Sequence, residues 1–156
     1  MRGQVTVHME APPERVWDLI SDVTRMGEWS PETVRGEWTQ GATGPAVGAR
    51  FVGHNKKGPA RWATTCEVVA ADPGREFTFR VIGSNTVWGY RMAPSDGGSD
   101  VTEFWEAIGP DGVGGAIYRG LVVRFIYPVL GREGQIRRGA AQTLARLKAA
   151  AERQPV

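Results

Sequence analysis

A regular stripe of small and apolar residues near the C terminus places the strongest constraint on how this chain can fold. Ile136, Ala140, Leu144, Leu147 and Ala151 recur every three or four residues and therefore share one face of a helix. The preceding residues show the alternation and turns of an antiparallel sheet. We expect the helix to lie across that sheet, and imperfect contact between them would leave a cavity in which a ligand could bind.

The helical pattern starts earlier, at residue 112, but its first part has a different character. Residues 113–130 are apolar nearly all round, flanked by glycine and broken by Pro128. Because Arg119 and Arg124 interrupt the segment, it falls short of the twenty or so apolar residues that cross a bilayer. We expect a lid that hinges to admit a ligand. A helix lying on a membrane surface is the alternative.

Short helices and strands are predicted for the rest of the chain. Residues 4–9 alternate with a period of two and predict a first strand, and the prolines that follow favour a short helix over residues 13–20. A second short helix starts at the cap residue Ser21 or Asp22 and runs towards Trp29. Six further strands between Gly, Pro, Asn and Asp turns are predicted at residues 34–39, 49–56, 61–71, 76–82, 86–93 and 101–108. The fold class is therefore α+β, with seven strands in sequential antiparallel order.

Length and composition restrict the function classes. The 156 residues fit one domain, 1–156, and a content of 41% hydrophobic and 23% charged residues is typical of soluble globular proteins. The net charge is only +2 and the cations are scattered, so nucleic acid is not an expected partner. Cys66 is the single cysteine and excludes an internal disulfide. The N terminus shows no apolar signal region, and a cytoplasmic location follows as the expectation.

One face of the predicted sheet is rich in aromatic side chains but also carries polar groups. Asn55 and Glu103 fall on this face, where a buried polar group is costly unless it is hydrogen-bonded or faces a wet cavity. Their presence indicates a cavity rather than a plain core. A metal site is not predicted, because the chain has two histidines, one cysteine and no carboxylate cluster.

The order of elements resembles the START-like, or birch-pollen-allergen-like (SRPBCC), helix-grip fold. More narrowly, the chain resembles the bacterial polyketide cyclase/dehydrase and lipid-transport branch of that superfamily. The segments that carry the resemblance are residues 7–17, 29–32, 48–51, 101–106 and 143–148. The resemblance implies a deep apolar pocket that is enclosed by the curved sheet and the long helix. It implies a hydrophobic ligand, such as a lipid or a polyketide, and no metal or organic cofactor.

Within that fold, Glu103 is the sharpest candidate for chemistry. Desolvation would raise the pKa of its carboxyl group and suit it to act as a general acid or base. The alternative is an ion pair with Arg119 of the long helix, and we expect Arg119 to be its partner. Asn55 and Tyr90 could donate hydrogen bonds to a ligand carbonyl or enolate, or could instead satisfy the sheet backbone or a buried water.

The predicted ligand contacts extend around the whole pocket. Trp29 and Glu32 are placed near its mouth, although a helix cap or a surface contact would explain them equally well. The complete set of predicted ligand-binding residues is Trp29, Glu32, Phe51, Asn55, Trp62, Thr64, Phe79, Trp88, Tyr90, Glu103, Trp105, Ile117, Arg119 and Leu121.

Three functions remain open on the sequence. The first is a carrier or sensor that binds a hydrophobic small molecule. The second is a polyketide aromatase/cyclase-dehydratase that uses Glu103 as acid or base. The third is a lipid-handling protein that contacts membranes peripherally through the apolar residues Ile117, Leu121, Phe125 and Ile126. A patch around Val122, Val123 and Tyr127 could in addition form a homodimer contact.

Overall fold

Seven strands form one antiparallel sheet in the computed structural model, which describes residues 1–109, 111–126 and 129–153. The strands are β1 (Arg2–Met9), β2 (Thr33–Thr39), β3 (Arg50–Lys57), β4 (Ala60–Asp72), β5 (Glu76–Val81), β6 (Thr86–Ser95) and β7 (Gly98–Ala107). Their order across the sheet is β1-β7-β6-β5-β4-β3-β2. All seven predicted strands are therefore present, with ends that differ from the predictions by a few residues.

The position of β1 departs from a simple sequential order. Strands β2 to β7 are neighbours in chain order, but β1 pairs with β7, placing Val5 opposite Glu103 and Val7 opposite Val101. The chain between β1 and β2 is helical rather than a tight turn, so it crosses to the far edge of the sheet before β2 begins. As a result, the first and last strands lie side by side.

Two short helices make this crossing, as predicted. Helix α1 (Pro13–Ile20) has proline in its first turn and buries Val16, Leu19 and Ile20. A 3-10 helix follows over Val23–Glu28, and the carboxylate of Asp22 caps it by accepting a hydrogen bond of 3.1 Å from the backbone N–H of Thr24.

The C-terminal stretch contains three helical segments with different environments. Helix α2 (Gly112–Ile117) continues into a π-helix (Tyr118–Ile126), and the long helix α3 spans Arg132–Glu152. Helix α3 packs on β1, β7 and α1 through the predicted stripe of residues, of which Leu144 and Leu147 are fully buried. The guanidinium of Arg15 in α1 donates a 2.7 Å hydrogen bond to the carbonyl of Ala151 and fixes the end of α3. Pro128, at the predicted break, lies outside the described residues.

The core lies between α3, α1 and the inner face of the sheet. Phe51 is almost completely buried there and packs edge-to-face against Trp38 and Phe79, with ring centroids 5.7 Å and 5.1 Å away. This layering of a long helix over a seven-stranded antiparallel sheet is the helix-grip fold that the sequence predicts.

Candidate ligand-binding cavity

A cavity of about 300 Å³ opens between α3 and the inner face of the sheet. Its volume is at the lower end of the range of small-molecule sites, which is roughly 300–1,000 Å³. Ten of the predicted residues line it, namely Trp29, Glu32, Phe51, Asn55, Trp62, Thr64, Phe79, Trp88, Tyr90 and Glu103. The alternation of the strands thus indicates which side chains form the sheet wall of the cavity.

Trp105 was predicted to line the cavity but is not among its lining residues. The side chain is 2% exposed, and its ring is 6.2 Å from that of Trp88. Arg137 of α3 covers it at 5.7 Å, and the absence of a side chain at Gly3 leaves it room on β1. Trp105 therefore packs beside Trp88 on the same face of the sheet, where α3 covers it.

The three residues predicted from the lid segment are also displaced from the cavity. Ile117 and Leu121 are more than half exposed, and neither is among the lining residues. Arg119 donates a 3.3 Å hydrogen bond to the backbone carbonyl of Ile108. Their neighbour Tyr118 lines the cavity instead, packed over Gly109. The prediction assigned the wrong side of this helix to the cavity. Apolar residues occupy almost all sides of the helix, so their pattern does not indicate which side faces the sheet.

The helix wall of the cavity was missed by the sequence-based predictions. It is formed by the first three turns of α3, where the lining residues are Arg132, Gln135, Ile136, Gly139, Ala140 and Thr143. The stripe through Ile136 and Ala140 could have revealed them, because extending it backwards by one turn reaches Arg132. What the stripe does not show is that the helix and the sheet diverge towards this end.

Glu103 is the buried polar group at the centre of the site. Its side chain lines the cavity and is only 5% exposed. Tyr90, directly opposite on β6, donates a 3.3 Å hydrogen bond from its hydroxyl to Oε1, while Oε2 has no hydrogen-bond partner among the described residues. Burial raises the pKa of Glu103 to about 8, against a smaller lowering effect of the Tyr90 hydrogen bond.

The predicted ion pair between Glu103 and Arg119 is not formed. Within the described residues Glu103 is in no salt bridge, and its hydrogen bond is to Tyr90. The physical reason is the path of the chain after β7: the Arg119 guanidinium reaches the backbone at Ile108, near the end of the sheet. Because no cation among the described residues compensates its charge, burial favours the neutral form of the carboxyl group.

A neutral Glu103 is a hydrogen-bond donor directed at the cavity. Burial also raises the pKa of Tyr90 well above its ordinary value, so its hydroxyl keeps its proton and donates to Oε1. The acidic proton of Glu103 then belongs on Oε2, which finds no acceptor among the described residues. A ligand oxygen can supply that acceptor.

Asn55 lines the cavity, but its amide is engaged within the protein. Its Oδ1 accepts a 2.9 Å hydrogen bond from Thr33, and its Nδ2 donates to the Gly53 carbonyl and to the Thr64 hydroxyl at 3.2 Å and 3.3 Å. These contacts tie β2, β3 and β4 together at one end. They favour the structural alternative for Asn55 over direct recognition of a ligand.

A group of charged and polar side chains surrounds the mouth of the cavity. Glu32 Oε1 is 3.5 Å from Lys57 Nζ and 3.7 Å from Arg132 Nη1. Lys57 also donates a 3.3 Å hydrogen bond to Gln135. Glu32 thus lines the cavity with a partly exposed side chain, and it faces two cations rather than one.

The apolar lid segment is turned largely towards solvent. Leu121 and Phe125 are 52% and 58% exposed, and Ile117 and Ile126 are exposed as well. Of the proposed dimer patch, Tyr127 and the side chain of Val123 lie outside the described residues. No helix in the described parts of the chain is both long and apolar enough to span a bilayer.

Comparison with known proteins adds a family match over nearly the whole chain. The family model for polyketide cyclase/dehydrase and lipid transport matches residues 2–152. A solved structure with 31% sequence identity is the polyketide-cyclase-like protein Cgl2372 from Corynebacterium glutamicum; the match covers 97% of this chain and 89% of that chain, with a TM-score of 0.58. No curated protein matches.

Two aromatase/cyclases share the fold at lower identity. The ZhuI aromatase/cyclase from Streptomyces sp. R1128 is 19% identical, with a TM-score of 0.72 and coverage of 98% of this chain and 94% of that chain. The di-domain aromatase/cyclase StfQ from the steffimycin pathway is 11% identical, with a TM-score of 0.73; the match covers 97% of this chain and 50% of that chain. At such identities the likeness extends to the architecture alone.

Proposed function

The chain belongs to the polyketide cyclase/dehydrase and lipid-transport family, and on that premise we propose that it binds a hydrophobic small molecule in the cavity beneath α3, as a carrier or sensor. The wall offers the flat rings of Trp62 and Trp88 and the apolar side chains of Phe51 and Phe79. Burying a ligand against such a surface releases water from both and favours binding.

One observation carries this proposal: the cavity is largely apolar and contains a neutral, buried acid whose Oε2 has no partner among the described residues. A buried polar atom without a partner costs free energy, on the order of 1–3 kcal/mol. A ligand oxygen next to Glu103 would remove that cost. The ligand we expect is therefore mainly apolar but carries a hydrogen-bond acceptor.

Native mass spectrometry of the protein purified from its own source tests this function. We expect a retained hydrophobic molecule in the spectrum. Replacing Trp88 by leucine should weaken binding of that molecule at least tenfold, because the variant loses a wall of the cavity. The matched change Trp17→Leu should leave affinity unchanged, since Trp17 lies outside the cavity and hydrogen-bonds Glu76. Equal affinities for the two variants would contradict the proposed site.

A polyketide aromatase/cyclase-dehydratase is the alternative function, and the state of Glu103 favours it. A protonated Glu103 could give its proton to a ligand carbonyl oxygen while a new carbon–carbon bond forms at the carbonyl carbon. The carboxylate would recover a proton from the carbon that attacks. Tyr90 would hold the carboxyl group in place through its hydrogen bond.

Turnover of a linear poly-β-ketone analogue distinguishes this alternative from simple binding. An enzyme should release a cyclised, dehydrated product, and Glu103→Gln should suppress product formation at least a hundredfold while the analogue still binds. The matched control Glu106→Gln changes an exposed carboxyl on the same strand and should retain turnover. If the analogue binds to the unaltered protein but is recovered intact, the carrier function stands and the enzyme does not.

Peripheral membrane contact is supported by the exposure of the lid segment. Its apolar side chains Leu121 and Phe125 stand in solvent beside the cation Arg124, a combination that suits an anionic lipid surface. Vesicles of phosphatidylcholine and phosphatidylglycerol should co-sediment the protein, and Leu121→Ser with Phe125→Ser should abolish this. The control pair Val47→Ser and Val69→Ser alters exposed apolar residues outside the lid segment. A protein that remains in the supernatant would exclude this contact.

A further inference from the structure

Polar groups of different character occupy two separate parts of the cavity. Glu103 and Tyr90 form one of them, and both are neutral and buried. The other is formed by Arg132, which lines the cavity, and by Lys57, which lies outside the lining but contacts Glu32 within it; both cations are partly exposed. A ligand that satisfies both must itself have two different polar groups.

The strand register places these two groups at different levels along the sheet wall. Tyr90 lies opposite Phe77, which in turn lies opposite Ala71 near the end of β4. At the mouth, Thr33 follows Glu32 and lies opposite Asn55, which lies opposite Trp62 near the start of β4. The two groups therefore lie apart along the direction of the strands. An elongated ligand is needed to reach from one group to the other.

Arg132 is the residue best placed to recognise the outer end of such a ligand. It lines the cavity with a side chain 34% exposed and forms a 3.7 Å ion pair with Glu32. Its guanidinium makes no hydrogen bond to the residues the structure describes, so its five N–H donors are available to a ligand. Lys57 approaches the same oxygen of Glu32, which leaves two cations for one carboxylate. Long, exposed ion pairs contribute little to stability, so an incoming anion can share these cations.

We propose that the cavity takes an elongated amphipathic molecule with a carboxylate or similar anionic group at the mouth, between Lys57 and Arg132, and an uncharged acceptor oxygen beside Glu103. This inference rests on the proposed binding function and narrows it to a ligand class. Charge recognition takes place where water still reaches the ligand. Recognition by Glu103 takes place where water is excluded, and it requires the carboxyl group to be protonated.

Three probes of matched length test the inference at pH 7, with the fluorescence of the cavity tryptophans as the readout. They are dodecanol, dodecanoate, and dodecanoate bearing a ketone next to its terminal methyl group. We expect dodecanoate to bind at least tenfold more tightly than dodecanol, and the keto acid to bind about fivefold more tightly than dodecanoate. Calorimetry on the same three probes checks that quenching reports binding.

Variants assign each preference to one end of the cavity. Arg132→Gln should remove most of the preference for dodecanoate over dodecanol, while Arg138→Gln, an exposed arginine of α3 outside the cavity, should keep it. Glu103→Leu should remove the gain from the ketone and retain the preference for the carboxylate. Glu103→Gln keeps an N–H donor and should preserve part of the ketone gain.

The outcomes separate this inference from the binding function on which it rests. If all three probes bind with equal affinity, or if Arg132→Gln and Arg138→Gln behave alike, the cavity function stands and the two-ended ligand is wrong. If dodecanol alone binds, the same conclusion holds. If none of the probes binds and native mass spectrometry shows no retained molecule, both are wrong.

Discussion

At the scale of single residues, the decisive feature is a carboxyl group that the fold keeps neutral. Glu103 is buried beside Tyr90 with no cation close enough, among the described residues, to stabilise its charge. The sequence could predict that Glu103 faces the covered side of the sheet, since strand alternation gives that directly. It could not predict the partner, because whether Arg119 reaches Glu103 depends on the path of the chain after β7 rather than on spacing.

The raised pKa of Glu103 should appear as a pH dependence of stability. In the unfolded chain the group ionises near the ordinary glutamate pKa of 4.5, and in the folded protein near a pKa of about 8. Between these pH values the unfolded state loses a proton that the folded state keeps, so the free energy of unfolding falls as pH rises, by at most about 1.4 kcal/mol per pH unit. The stability that Glu103 contributes is thus complete below pH 4.5 and lost above about pH 8.

Urea denaturation between about pH 5 and pH 9 measures this effect. The free energy of unfolding of Glu103→Gln should depend less on pH than that of the unaltered protein. The difference between the two should shift in favour of the variant as the pH rises towards about 9. The pKa of His8, raised mainly by its hydrogen bond to Asp100, adds a slope of the same sign, but this slope is common to both proteins and cancels in the difference. Glu106→Gln serves as the surface control. Parallel profiles for Glu103→Gln and the unaltered protein would show that Glu103 is ionised in the folded state.

At the scale of elements, the C-terminal stretch divides into a packed helix and an exposed segment. The periodic stripe of α3 identified its buried residues from the sequence, because apolar residues confined to one side of a helix indicate which side is buried. Residues 113–126 are apolar on most sides, so their pattern does not indicate which side faces the cavity. The assignment of Ile117 and Leu121 to the cavity was therefore wrong, and Tyr118 was overlooked. Trp105 illustrates a related limit of the sequence. Alternation predicts which face of the sheet a side chain occupies, but it does not predict which part of that face a helix covers.

Two leucine substitutions measure this division. Leu144→Ala removes a side chain that is 0% exposed beneath α3, and it should lower the free energy of unfolding by about 2–5 kcal/mol. Leu121→Ala removes one that is 52% exposed and should change it by no more than about 0.5 kcal/mol. Urea denaturation of both variants at one pH gives the comparison. A large loss for Leu121→Ala would mean that the lid segment packs on the body in solution.

At the scale of the whole molecule, α3 is the element on which both core and cavity depend. It covers the inner face of the sheet at one end and diverges from it at the other, where Arg132 and Gln135 line the cavity. Fold class and strand number were accessible from the sequence because periodicity and turn residues encode them locally. The divergence of helix and sheet was not, since it results from the packing of many side chains at once.

Removing α3 should therefore abolish the fold rather than merely open the cavity. A chain ending at residue 130 would expose the aromatic face around Phe51, Phe77 and Phe79 to water. We expect loss of the near-ultraviolet circular dichroism signal and binding of a hydrophobic dye. The full-length Arg138→Gln variant, altered at an exposed position of α3, is the control for an intact helix. A truncated chain that still unfolds cooperatively in urea would contradict this dependence.

The pairing of β1 with β7 also has a consequence for the time course of folding. Strand β1 leaves the ribosome with its hydrogen-bonding partner about a hundred residues downstream, and α3, which packs on β1, follows later still. Closing so long a loop early is entropically unfavourable, and folds dominated by such distant contacts form slowly. We therefore expect the edge of β1 to stay unpaired during synthesis until β7 and α3 have emerged.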